Sequence, residues 1–74
     1  MKWTIDTELL TAKIEEKGLK YNFIAKQLGL SNYGFAKKVN NDTEFKVSEV
    51  VKITELLGLT KKERDLIFFG NSVH

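Results

Sequence analysis

Two short apolar stripes at helical spacing, separated by one tight break, constrain this chain more than any other feature. They lie in Ile24 to Val39, IAKQLGLSNYGFAKKV. Ile24 and Leu28 are four residues apart and share one helix face, and Ala25, one turn before Gly29, is small enough for a second helix to cross closely. Gly29 stands where a helix ends in the left-handed conformation, which glycine enters without a Cβ penalty. Ser31 can accept a hydrogen bond from a free backbone N–H of the next helix, and Leu30 before it is placed to staple onto Phe35. That helix therefore starts near Asn32. Its inward residues are Phe35 and Val39, which leaves Asn32, Tyr33, Ala36 and Lys37 facing away from the core. The pattern is the sequence form of a helix-turn-helix, and an outward face of amide, phenol and ammonium suits base edges and phosphates.

The rest of the chain is also patterned for helices. Asp6 is placed to cap a first helix over about Thr7 to Lys17, with Ile5 and Leu10 as its staple and Gly18 as its stop. The second helix is expected over Tyr21 to Leu28 and the third over Asn32 to Val39, followed by the polar loop Asn40-Asn41-Asp42-Thr43. Val47, Val50, Val51, Ile53, Thr54 and Leu57 mark a fourth amphipathic helix ending at Gly58. Thr60-Lys61-Lys62-Glu63 has capping-box spacing, so a fifth helix should run to about Phe69 and stop at Gly70. Phe45 with Val47, and Phe68 with Phe69, are too short to build a sheet. The expected fold class is all-α, a compact five-helix single domain spanning residues 1–74. Trp3 is expected to cover one end of the core. Phe68 and Phe69 cannot easily both be buried on one short helix, so one of them is expected to serve a partner.

A chain of 74 residues buries only roughly 60% of the surface its unfolded form exposes, which leaves little room for a deep catalytic cavity. Without cysteine it has no disulfides or thiolate metal sites, which fits a reducing cytoplasm. No apolar run approaches the ~20 residues of a membrane span, and MKWTIDTELL lacks the order of a signal peptide, so no membrane partner is expected. The net charge of +2 is small, but its distribution is uneven. From Lys17 to Lys52 seven lysines face only Asp42, Glu44 and Glu49. Positive charge is thus concentrated around the two stripes, as a nucleic-acid footprint requires, although a lysine-rich solvated surface has the same composition.

The span Leu10 to Phe69 resembles the Cro/repressor type of helix-turn-helix domain, common in bacteriophage and prophage regulators. Ile24, Ala25, Leu28, Gly29, Leu30, Ser31 and Phe35 fall at that family's expected positions. Lys38-Val39-Asn40-Asn41, Leu57-Gly58-Leu59 and Phe68-Phe69 look like a small phage-encoded subset of it. The resemblance implies a lambda-repressor-like fold in which the second helix of the motif enters the major groove and the first crosses the backbone. It places Asn32, Tyr33 and Lys37 toward bases, and Lys20, Tyr21, Asn22, Asn40 and Asn41 near phosphates. The chain departs from the family at Tyr21, where glutamine is usual, and at Lys38, where an apolar residue is usual and here comes next, at Val39.

Each of these residues has a plainer alternative. Asn32 can simply begin a helix, Tyr33 can lie on the surface or in a dimer contact, and Lys37 serves phosphates as readily as bases. Lys20, Lys46, Asn40 and Asn41 either touch the DNA backbone or are solvated. Catalysis has little support, because the one histidine is His74, there is no cysteine, and the carboxylates of Glu15-Glu16 or of Asp42 and Glu44 are neighbours of lysines and turns rather than a convergent pair. No cofactor, metal or small-molecule substrate is expected. The leading expectation is a transcriptional regulator that binds double-stranded operator DNA as a homodimer. Its alternatives are an antirepressor that sequesters a partner protein and the antitoxin of a toxin pair.

Overall fold

Three of the helices begin at a residue whose side chain caps them. The computed structural model describes residues 4–70, so Trp3 and His74 lie outside the described residues. Five helices follow one another: α1 Thr7–Lys17, α2 Tyr21–Gln27, α3 Asn32–Val39, α4 Val47–Leu57 and α5 Lys61–Phe68. No strand occurs among the described residues. The Asp6 carboxylate accepts the Leu9 N–H at 3.0 Å and starts α1. Thr60 and Glu63 form the expected reciprocal box at the start of α5, with the Glu63 N–H on Thr60 Oγ1 at 3.1 Å and the Thr60 N–H on Glu63 Oε1 at 2.9 Å. At α4 only half of such a box exists. Glu49 Oε1 accepts the Lys46 N–H at 2.8 Å, but lysine has no acceptor to return the bond.

The break between α2 and α3 has the expected chemistry. α2 ends at Gln27, one residue before the expected Leu28, which serves as its cap, and Gly29 follows at φ 73°, a backbone conformation that side chains with a Cβ rarely adopt. Ser31 Oγ then accepts the Gly34 N–H at 3.0 Å and opens α3. Ala25 is fully buried, and α2 and α3 are in direct contact. α4 packs on α1 and α2, and α5 packs on α1.

The buried core joins all five helices. It contains Ile5, Leu10 and Ile14, then Ile24, Ala25, Phe35 and Val39, then Phe45, Val50, Ile53, Leu57, Leu59, Ile67 and Phe68. Edge-to-face ring contacts run into it from Tyr21 to Phe35 (centroids 5.4 Å), then from Phe35 to Phe45 (6.2 Å) and Phe45 to Phe68 (5.6 Å). Phe45, a loop residue, is therefore the bridge between α3 and α5.

Two expectations about apolar surface need adjusting. Phe68 has no exposed surface, and Phe69 is partly buried against the core, so this pair is not an open patch. The helix turns Phe68 inward beside Ile67, and Phe69, just past the last turn, leans onto the same cluster. Conversely, Val47 and Val51, which mark the amphipathic pattern of α4, are 76% and 53% exposed. Val50, Ile53 and Leu57 define its inward face, and Val47 and Val51 stand one flank away from it.

Candidate nucleic-acid interface

α3 is held from below by Phe35 and Val39, four residues apart on one line and both buried. On its outer side Asn32 and Tyr33 are exposed, while Ala36 and Lys37 are half-buried. Tyr33 and Lys37 are one turn apart, and the Lys37 ammonium lies 5.5 Å from the centre of the Tyr33 ring. That contact holds a cation against a ring that is 74% exposed. Of the three residues assigned to bases, the structure thus brings Tyr33 and Lys37 together and leaves Asn32 in the first turn, about 100° around the helix from Tyr33.

Lys20, Tyr21 and Asn22 are consecutive and exposed at the start of α2. Tyr21 has a structural task as well. Its ring packs edge-on against Phe35 and so ties the first turn of α2 to the middle of α3. Burial of the ring, and then the nearby charge of Glu15, push its phenol above the usual 10, so it remains a protonated hydrogen-bond donor at neutral pH. Asn40 is exposed at the end of α3, and Lys46 is exposed at the start of α4.

Asn41 is engaged inside the protein. Its Oδ1 accepts the Ile5 N–H at 2.8 Å, and its Nδ2 donates to the Ile5 carbonyl at 3.1 Å and to Thr7 Oγ1 at 3.3 Å. Both amide protons are used, so Asn41 has none left for a phosphate. Its φ of 66 is the left-handed conformation that asparagine tolerates better than most residues. Thr7 Oγ1 in turn donates to the Val39 carbonyl, so the same cluster caps the end of α3.

Lys38 was visible in the sequence only as a departure from an apolar position. Its Nζ lies 2.8 Å from Glu49 Oε1, donates to the Glu44 carbonyl at 3.1 Å, and sits 6.0 Å from the centre of the Phe45 ring. Both partners are nearly covered, with side chains 12% and 8% exposed. This pair consumes one lysine and one carboxylate of the positive region. Lys17, Lys20, Lys26, Lys46 and Lys52 are exposed and Lys37 is half-buried, against exposed Asp42 and Glu44. The local positive excess therefore survives pairing.

A shallow open cleft of about 220 Å³ lies between the end of α2 and the first turns of α4, lined by Gln27, Leu28, Ser48, Glu49 and Lys52. Among the described residues no group of three His, Cys, Asp or Glu could hold a metal ion, and no helix is long and apolar enough to cross a membrane.

A family model described as a protein of unknown function (DUF739) matches residues 3–71. The chain belongs to this family. No curated protein and no solved structure matches it. The DUF739 match runs from before α1 to beyond α5, so all five helices and every candidate interface residue fall within one family unit.

Proposed function

We propose that this protein is a sequence-specific DNA-binding transcriptional regulator of the Cro/repressor kind, in which α2 and α3 act as a helix-turn-helix and α3 enters the major groove. The observation that carries the reading is the form of the α2–α3 unit. A left-handed Gly29 and a Ser31-capped α3 hold Tyr33 and Lys37 on the solvent side of a short helix whose other side is locked into the core, with Asn32 exposed in its first turn. The surrounding lysines supply the charge that a phosphate backbone requires. Asn32 suits an adenine edge, Tyr33 a thymine methyl, and Lys37 a guanine edge or a phosphate. Lys20, Tyr21, Asn22, Asn40 and Lys46 are assigned to the backbone, and Asn41 is not, because its amide is engaged.

Titration of labelled duplexes from the protein's own control region at several salt concentrations tests this. With about five to seven phosphate contacts, log K should fall against log salt with a slope of roughly −4 to −6. A flat dependence, or no binding at low salt, rules out the DNA reading and leaves a protein-binding role for the same fold.

A further inference from the structure

Phe35 and Val39, the buried side chains of α3, lie on a single line along it, and the Tyr21 ring and the Thr7 hydroxyl hold the helix at these same two residues, so its roll about that line is what they fix least. Rolling changes which side chains meet the groove. Helical periodicity puts Lys38 on one flank of this line, and Asn32 and Ala36 on the other. Lys38 is also the only α3 side chain joined by a charged hydrogen bond to another element among the described residues. Its Nζ reaches Glu49 Oε1 in the first turn of α4 and the Glu44 carbonyl in the preceding loop. Glu49 is held in place in its own right, since the same oxygen accepts the Lys46 N–H at 2.8 Å. The ammonium thus ends on a fixed anchor, beneath a cover that includes the Phe45 ring.

We infer that Lys38 and Glu49 form an inter-helix lock that sets the roll of α3, which makes Lys38 a positioning residue for Asn32, Tyr33 and Lys37. An apolar residue at this position would hold the helix by packing, which has no directional bond to a named partner. A nearly buried ion pair is directional, and such pairs are better attested as devices that fix one arrangement than as sources of stability. The lysine acts through geometry and touches no DNA itself. The consequence for recognition rests on the proposed DNA-binding function; the lock does not.

Two measurements on Lys38→Met/Glu49→Gln decide the matter. The double variant removes both charges yet keeps an oxygen at residue 49 for the Lys46 N–H. In free protein, amide exchange in α3 should quicken about tenfold or more while α1 and α5 keep their protection, because the loss is local. Uniform quickening in all helices, or no change in α3, would overturn the lock. In DNA binding, the ratio of affinities for the preferred and a random duplex should fall about tenfold, with the salt slope unchanged, since base contacts depend on side-chain placement and phosphate contacts mainly on charge. Lys38→Arg, which retains the pair, should restore the ratio. Equal loss on both duplexes would assign the pair to general stability, and a salt slope shallower by about one would make Lys38 a phosphate contact; either result overturns positioning. A wild-type protein with no sequence preference would instead remove the DNA reading and with it the recognition part, while the exchange result still decides the lock.

Discussion

At the scale of single residues, Gly34 is the most exposed to test. It occupies the third position of α3, and a Cβ there would come within 3.2 Å of Ser31 Oγ, the group that caps its own N–H. The molecule contains a control for this crowding. Glu63 occupies the equivalent position of α5, carries a Cβ, and still donates to Thr60 Oγ1 at 3.1 Å, against 3.0 Å for Gly34 on Ser31. Ser31 is exposed and can yield by this small amount. Gly34→Ala should therefore keep its cap and gain most of the helix propensity that glycine forgoes, raising Tm by about 2–5 °C. If the bare Cα serves close approach to DNA, affinity falls while Tm rises; undiminished affinity removes that role, and a lower Tm means that Ser31 does not yield. Asn32 and Lys20 separate reading from anchoring. Asn32→Ala should cost about 1–3 kcal/mol on the preferred duplex and relax discrimination, whereas Lys20→Ala should weaken all duplexes alike and make the salt slope shallower by about one. Equal losses on preferred and random duplexes for both variants would move the recognition face elsewhere.

Helices and their caps follow short-range rules, and these were legible in the sequence. Asp6 to Leu9, Ser31 to Gly34 and Thr60 to Glu63 are all contacts between residues three apart, so their chemistry is visible in a short window. The same holds for Gly29 as the break and for Phe35 and Val39 as the inward pair. What escaped was contact between distant segments. Lys38 meets Glu49 eleven residues on, and Asn41 meets Ile5 across thirty-six. Nothing local marks Asn41 as a clasp except its tolerance of positive φ, and a lysine at an inward flank looks like a surface residue until its partner is known. Val47 and Val51 failed for the opposite reason, since an apolar side chain satisfies the periodic pattern whether or not a neighbouring element covers it. The pairing of α1 with α5 yields a pH test at this scale. Lys13 Nζ lies 2.6 Å from Glu63 Oε2, and this bond, followed by the Thr60 N–H, lowers the Glu63 carboxyl from 4.5 to about 2. Because the folded value is depressed, the stabilisation is complete above pH 4.5 and is lost as pH falls toward 2. Glu63→Gln should melt below wild type at neutral pH and lose less on acidification, with the two Tm curves converging near the bottom of that window. Parallel curves would show that the pair does not couple protonation to folding.

At the scale of the whole molecule, the proposed function calls for two copies on one operator. Helix-turn-helix dimers place their recognition helices about one DNA turn apart, ~34 Å. The described chain measures 33 × 24 × 20 Å, so two copies in contact can present their α3 helices at that separation without an added linker. The contact cannot be built on Phe68, which is consumed by the core. Among the described residues, the large apolar side chains exposed away from α2 and α3 are Val47 and Val51, one turn apart on α4, and Leu66 on α5. Val51→Glu and Leu66→Glu each place a charge on one of these surfaces and leave the buried cluster untouched. Sedimentation of both variants beside wild type, with and without an inverted-repeat duplex whose half-sites are centred about 10 base pairs apart, should show one of them reduced to single-copy binding with an unchanged melt. The same wild-type protein should bind that duplex more tightly than one with the half-sites moved half a turn further, because the second α3 then faces the wrong side of the helix. If both variants pair as wild type does, the interface lies off the Val51 and Leu66 patches. Indifference to half-site spacing would mean that each copy binds DNA alone, and the homodimer would be abandoned.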